Sequence, residues 1–352
     1  MIDLGQYGYT GESSVDDMIP GRITELRRDQ YIIVTERGEI TAVLKGTFYL
    51  DSETKEFPCV GDFVLLDYNE TGVSRIAKLL PRWSKFSRSS FSGRPAGYVR
   101  AVQGQVVATN FDYVFIFSSL NFDFNVNRVM RYLTLAWQSD GQPVVILTKA
   151  DLVEDFSAQV AEVREIAQDA PIHVISSQTG NGLEELNQYL QPKKTVVLLG
   201  MSGVGKSSLL NALMGKKVMK VRDIREADSR GRHTTTHRQL FMLPSGAMVI
   251  DTPGMRELGL QSADEGISTA FADVEGLITE CRFSNCRHQT EPDCAVLAAL
   301  DNGSLSREHW ERYLIQTKEN KLVEEKVSSL KEPGMKRKSA NMERSRKKKK
   351  RK

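Results

Sequence analysis

Two textures of hydrophobic patterning divide the chain. From Arg22 to about Leu80, apolar and polar residues alternate in short runs, "RITELRRDQYIIVTERG", "EITAVLKGTFYL" and "VGDFVLLDYNETGVSRIAKLLP". β-Branched residues are frequent there, Gly, Asp and Asn interrupt the runs, and no helical period appears. That pattern predicts five or so short strands, and so many strands in so short a stretch predict a small barrel of the OB type. From about residue 109 the apolar runs become continuous: "YVFIFSSL" (113–120), "PVVILTKA" (143–150), "IHVISS" (172–177), "TVVLLGM" (195–201) and "AMVIDTPG" (247–254). Strands covered on both faces read this way. Helical stretches such as "NVNRVMRYLTLAWQ" (125–138) and "FSAQVAEVREIAQ" (156–168) lie between them, which predicts an α/β sheet flanked by helices. Two further helical stretches, "CAVLAALDNG" and "SREHWERYLIQTKENKLVEEKVSSLK", follow residue 290.

The expected organisation is therefore multidomain. A loose start (1–20) leads into a barrel with a basic linker (21–108), an α/β nucleotide-type domain (109–275), a small helical domain (276–330) and a tail (331–352). Composition narrows the class. With 40% hydrophobic and 26% charged residues the chain is of ordinary soluble type. No apolar run approaches the roughly 18 residues of a membrane span, and "MIDLGQYGYTGESS" lacks the basic and apolar regions of a signal peptide. A cytoplasmic protein with no membrane partner is expected.

The net charge of +3 conceals an asymmetry. From Lys331 onward 12 basic residues face 2 acidic ones, net +10, whereas the preceding 330 residues carry 36 against 43, net −7. A lysine-rich end of this kind suits phosphate backbones through counterion release. The segment "PRWSKFSRSSFSGRPAGYVR" (81–100) holds five cations, no acid, and Trp83, Phe86, Phe91 and Tyr98 between them, a mixture suited to single-stranded RNA. The alternative is a linker whose aromatic rings pack on a neighbouring domain.

The candidate chemistry sits at the predicted carboxyl ends of the strands, where open α/β sheets bind ligands. "GMSGVGKSS" fits G-x-x-x-x-G-K-[ST] at Gly200, Gly205, Lys206 and Ser207, between a strand and a helix. Backbone N–H groups along the loop, including those of Ser202, Gly203, Val204 and Ser208, cradle phosphates. Lys206 reaches the β/γ oxygens and Ser207 ligates Mg²⁺. "DTPG" places Asp251 in the Mg²⁺ shell and Gly254 at the γ-phosphate. In the intervening loop "RGRHTTTHR", one of Thr234, Thr235 and Thr236 supplies a second hydroxyl to Mg²⁺; spacing does not choose among them, and Thr235 is carried as the working assignment.

"TKAD" (148–151) reads the base: Asp151 accepts from N1–H and the 2-amino group of guanine, and the Lys149 stem lies along the ring. "SSQTGNGL" (176–183) brings Ser176 or Ser177 near the base, unless it is a plain polar turn. The base-reading loops thus precede the phosphate loops, the reverse of the ordinary order. A sheet tolerates this when its usual termini are joined and the chain is opened elsewhere, so the pattern is that of a circularly permuted GTPase binding GTP or GDP. Met255 stands where a water-orienting glutamine is found in Ras-like enzymes. Intrinsic turnover should then be slow, with another group or a partner completing the site; His233 is the candidate to position or deprotonate water, the alternative being an exposed loop histidine or a partner contact.

Three of the four cysteines fall within 14 residues. Cys281, Cys286, His288 and Cys294 form C-x4-C-x-H-x5-C, a donor set for one closed structural Zn²⁺ site. Cys59 stands apart and reads as a core residue. The order of barrel, TKAD, GMSGVGKSS, RGRHTTT, DTPG and cysteine cluster resembles the circularly permuted ribosome small-subunit-dependent GTPases of the RsgA type, over roughly residues 20–320. The resemblance implies an OB-fold domain, a permuted GTPase domain and a zinc domain. It also implies GTP hydrolysis stimulated by the small (30S) ribosomal subunit, contact with its rRNA, and a role in late maturation, with the chain acting as a monomer. Thr148 departs from the pattern, standing where many members carry an asparagine whose amide braces the base.

Overall fold

The computed structural model describes residues 1–12, 17–27, 30–49, 57–88, 105–218, 238–251, 264–283 and 285–322. Among them, β1 (Ile19–Arg27), β2 (Gln30–Thr35), β3 (Gly38–Leu44), β4 (Phe63–Asp67) and β5 (Ser74–Leu79) make the N-terminal barrel. β1 pairs antiparallel with β2 and β4, β2 with β3, β3 parallel with β5, and β5 with β4, which closes the circuit. Its interior is filled by Ile23, Ile33, Val64, Leu66 and Ile76, all completely buried. Each such side chain contributes about 1.5–3 kcal/mol by leaving water.

A short ribbon of β6 (Lys85–Arg88) and β7 (Gln105–Thr109) leads onward. The nucleotide-type sheet comprises β8 (Tyr113–Ser119), β9 (Gln142–Thr148), β10 (Ile172–Val174), β11 (Thr195–Leu199), β12 (Gln239–Met242) and β13 (Met248–Asp251), in the order β10-β9-β8-β11-β13-β12. All are parallel except β12, which runs antiparallel to β13. Helices α1 (Val126–Trp137), α2 (Ser157–Ala167) and α3 (Lys206–Met214) are the crossovers. α1 begins at Asn125, whose side chain accepts from the Arg128 N–H and so satisfies an otherwise orphan donor. Phe115, Phe117, Val196 and Leu198 pack against Leu209 and Leu210 of α3 on one face. Strand alternation sends Val114 and Ile116 to the other face, where α1 and α2 lie.

Barrel and sheet are continuous. A bulge between Ile23 and Glu25 shifts the β1–β2 register, which resumes at Glu25↔Ile32 and runs on to Arg27↔Gln30, while on its other side Glu25 pairs with Gln239 of β12. Arg22, completely buried, pins this junction. Its guanidinium donates to the carbonyls of Gly61 (3.2 Å), Tyr7 (2.6 Å) and Asn110 (2.7 Å), touches Met248 Sδ at 3.1 Å, and lies 4.9 Å from the Phe63 ring centroid. Burial lowers its pKa to about 10, opposed by Asp112 and Asp62, so the charge persists at neutral pH. Gly61 has φ +96°, and an added Cβ would stand 2.1 Å from the Thr109 carbonyl oxygen, so only glycine fits this approach. Barrel and sheet form one compact unit, residues 1–86 with 106–257.

The second unit comprises residues 87–105 and 258–352. Its described part holds α4 (Asp264–Ala270), α5 (Ala272–Thr279), α6 (Ala295–Asn302) and a helix through 307–322. Phe271, Val274, Val296, Leu305, Trp310 and Tyr313 form its core. The Tyr313 hydroxyl donates to Glu275 at 2.9 Å, and burial followed by that carboxylate pushes its pKa up to about 12. Among the described residues, no helix is long and apolar enough to cross a membrane.

Candidate functional site

The carboxyl ends of β9, β10, β11 and β13 lie along one edge of the sheet, because these strands run parallel. Asp251 ends β13 and is level with Leu198 of the neighbouring β11, whose exit is the loop 200–205. In that loop Gly203 and Gly205 take φ +78° and +111°, left-handed values that turn the backbone into the first turn of α3. Val204 is buried in the sheet core and anchors the loop, leaving Ser202 and Gly203 exposed. Lys206 Nζ donates to the carbonyls of Gly200 (2.6 Å) and Met201 (2.7 Å), so its ammonium stands over the loop's own concavity. Ser207 and Ser208 follow, half-buried, in the first turn of α3.

The TKAD loop meets the phosphate loop directly. Thr148, 2% exposed at the end of β9, donates its hydroxyl to the Val204 carbonyl at 2.6 Å. The Thr148 carbonyl in turn accepts from the Leu120 N–H. Lys149 is left-handed (φ 61°, ψ 38°) although it carries a Cβ, a conformation costing on the order of 1–2 kcal/mol that surrounding contacts must hold. Those contacts are the Ala150 N–H on the Ile175 carbonyl and the Leu152 N–H on that of Lys149. The kink delivers Asp151 to Ser176, whose hydroxyl donates to Asp151 Oδ1 at 2.5 Å. Ser176 Oγ also accepts from the Thr179 N–H, and Gly182, with φ +73° and only 2.3 Å between its would-be Cβ and the Val174 carbonyl oxygen, permits the tight return. Of the two serines considered, Ser176 touches the aspartate; Ser177 is the half-exposed next residue.

Where the family pattern carries an asparagine amide, Thr148 offers a hydroxyl that ties the two loops together. Nothing in the sequence signals that contact, because its partners are 56 residues apart. His233, Thr234, Thr235, Thr236, Gly254 and Met255 lie outside the described residues, as do Phe91, Tyr98 and the tail. Of the remaining aromatics in the basic segment, Phe86 is buried and stacks on Phe111 at 5.3 Å, whereas Trp83 is 48% exposed. Cys59 is buried, which pushes its thiol up to about 12 and leaves it inert.

In the second unit the four expected metal ligands come together. The ligand atoms of Cys281, Cys286, His288 and Cys294 all lie within 4.8 Å of one another. Cys281 Sγ is 3.8 Å from Cys294 Sγ and 3.6 Å from His288 Nδ1, and the latter is 3.4 Å from Cys294 Sγ. A tetrahedral ion with Zn–S near 2.3 Å and Zn–N near 2.0–2.1 Å sets sulfurs about 3.8 Å apart and sulfur–nitrogen pairs about 3.6 Å apart. Donor chemistry and spacing both fit Zn²⁺. Cys294 also caps α6, accepting from the Leu297 N–H. The turn that presents His288 in a left-handed conformation is organised by Glu291, whose carboxylate accepts from the N–H groups of Gln289, Thr290 and Arg287. Backbone donation, first from Gln289, pulls its pKa down to about 2. Sequence reasoning missed this residue; its place between two metal ligands was the available signal.

Known proteins are similar to this chain over most of its length. The RsgA GTPase family model matches residues 80–261. The small ribosomal subunit biogenesis GTPase RsgA 2 of Listeria monocytogenes is 44% identical over 318 residues, covering 89% of this chain and 88% of its own. RsgA of Syntrophotalea carbinolica is 41% identical, covering 86% and 84%. The crystal structure of YjeQ from Thermotoga maritima superposes with a TM-score of 0.63 at 29% identity, over 86% of this chain and 98% of that one. That of YloQ, described as a circularly permuted GTPase, gives 0.61 at 23% identity and supports the fold. With the TKAD and SSQTGNGL loops ahead of the GMSGVGKSS loop on one sheet edge, a five-stranded barrel before them and a Cys₃His cluster after them, the chain belongs to the RsgA GTPase family of GTP-hydrolysing enzymes.

Proposed function

We propose that this protein hydrolyses GTP to GDP and phosphate when bound to the small ribosomal subunit, and that it assists the late maturation of that particle as a cytoplasmic monomer. The observation that carries the reading is the union of the two loop systems through Thr148 and Val204, with Asp151 held by Ser176 beside them. The names of the relatives, small ribosomal subunit biogenesis GTPases, supply the partner. In this reading Asp151 accepts from the guanine edge, Lys149 lies along the ring, and Ser176, with Ser177 beside it, orients Asp151. Backbone N–H groups from Gly200 to Ser208 hold the phosphates, and Lys206 moves from its carbonyl contacts onto phosphate oxygens.

Mg²⁺ suits the oxygen donors Ser207 and Asp251, which begin a helix and end a strand on the same edge. When bound it neutralises charge on the phosphates. Thr235, or its neighbours Thr234 and Thr236, completes that shell; Gly254 reads the γ-phosphate and His233 positions water. Zn²⁺ is held by Cys281, Cys286, His288 and Cys294 as a structural ion. The experiment is GTP turnover with and without purified small subunits, with large subunits and Lys206→Ala as controls. Stimulation specific to small subunits and lost in Lys206→Ala is expected. Unchanged turnover, with GTP still bound, refutes the assignment of partner.

A further inference from the structure

Trp83 lies far from the nucleotide loops and has no role in the reading above. It lines a cleft of ≈ 510 Å³ together with Lys78, Arg82, Lys85 and Asp140. It also lines an adjoining cavity of ≈ 220 Å³ with Gln142 and Lys194. Gln142 begins β9 and Lys194 immediately precedes β11, so the groove occupies the amino ends of the parallel strands, opposite the edge that binds nucleotide. The larger cleft falls within the roughly 300–1,000 Å³ typical of sites for small ligands.

An exposed tryptophan is ordinarily mobile; this one is held. On one side, Arg82 is 6% exposed in its side chain and forms a bidentate pair with the buried Asp62, both contacts at 2.7 Å. On the other, Ser84 is buried, donating to the Phe111 carbonyl and accepting from the Phe111 N–H, both at 2.7 Å. The Trp83 N–H itself donates to Asn110 Oδ1 at 3.2 Å, and Asn110 is fixed in a left-handed conformation. The indole packs on Phe63, ring centroids 5.9 Å apart, yet 48% of the residue remains open to solvent. Two buried anchors therefore present an aromatic face outward. Arg82 is committed to Asp62, and Lys194 beyond is paired with Asp112 at 2.7 Å; Lys78 and Lys85 stand at exposed positions along the larger cleft.

We propose that this groove binds single-stranded RNA, with an unpaired base stacked on Trp83 and its flanking phosphates neutralised by Lys78 and Lys85. A rigid indole between cations matches the two needs of an unpaired nucleotide, a π-face for the base and charge for the backbone. The inference rests on the reading of the chain as acting on an RNA-containing particle. It makes the amino end of the sheet a second, RNA-directed site separate from the GTP site.

The test uses the full chain and a short unstructured oligouridylate. Tryptophan emission follows stacking and the anisotropy of labelled RNA follows total binding. Trp83 is one of three tryptophans, with Trp137 and Trp310. Saturable quenching is expected in the wild type. Trp83→Phe should keep affinity and lose most of the quenching, and Trp83→Ala should bind about tenfold more weakly or worse. Lys78→Gln should lower the salt dependence by about one counterion. GDP affinity serves as the fold control and should be unchanged in all three. Full affinity in Trp83→Ala, quenching that survives in Trp83→Phe, or equal quenching by a mononucleotide overturns the proposal. Quenching in a protein that small subunits fail to stimulate would retire the ribosomal reading and leave the RNA site standing; stimulation without quenching would do the reverse.

Discussion

Thr148→Val isolates the contact between the TKAD loop and the loop 200–205. Valine has the shape of threonine, so no cavity opens; what disappears is the hydroxyl that donates to the Val204 carbonyl at 2.6 Å. Thr148 is 2% and Val204 7% exposed, so water does not readily replace the lost donor. An orphaned buried acceptor costs about 1–3 kcal/mol, or about 5- to 150-fold in an equilibrium constant. If the loop keeps its shape in the free protein, that free energy is lost from global stability. If the loop relaxes, it must be restored when nucleotide binds and is lost from affinity instead. The two measurements, urea unfolding and titration with a fluorescent GDP analogue, should therefore sum to about 1–3 kcal/mol. Thr148→Ser, which retains the hydroxyl, should recover most of it. A Thr148→Val protein matching wild type in both assays to within about 0.5 kcal/mol would refute the role assigned to this hydroxyl.

Arg22→Met should destabilise the first unit by more than about 2 kcal/mol, since the Tyr7 and Asn110 carbonyls each lose a donor at about 1–3 kcal/mol, whereas the Gly61 carbonyl keeps the Asn110 amide; a urea midpoint unmoved from wild type would contradict this. For Glu291 the folded pKa of about 2 lies below the ordinary 4.5. Its stabilising contribution is thus complete above 4.5 and lost as pH falls toward 2. Glu291→Gln should flatten that part of an acid titration followed through Trp310, whose ring is 5.5 Å from that of His288; superimposable curves would count against it. Removal of the metal should release one Zn²⁺ per chain and reduce helical circular dichroism, and Cys286→Ser should show the same loss without a chelator. A chain that holds no zinc and keeps its helicity would remove the structural role. Gly182→Ala forces a Cβ to within 2.3 Å of the Val174 carbonyl oxygen. It should weaken guanine-nucleotide binding, as measured by GDP titration, more than the same change at Gly180, which has open space around it.

The sequence by itself determined those features whose signal is carried by neighbouring residues. The phosphate-loop motif has its glycines, lysine and serine within nine positions, the TKAD run sits at the end of a single strand, and the Cys₃His cluster spans 14 residues. Because their order along the chain is also explicit, the permutation was legible before any geometry. What tertiary structure decided were contacts between residues far apart in the chain. Arg22 reads as the polar member of an alternating strand, yet the fold buries it against Met248, 226 positions away. Trp83 and Phe86 look equivalent in one basic stretch, but Phe111 is placed to cover only the second. Thr148 looks like a weakened base reader until Val204 arrives beside it. In each case the side chain's own chemistry is local, whereas its burial and partner are set by the pairing of distant strands, and no short window of sequence contains that information.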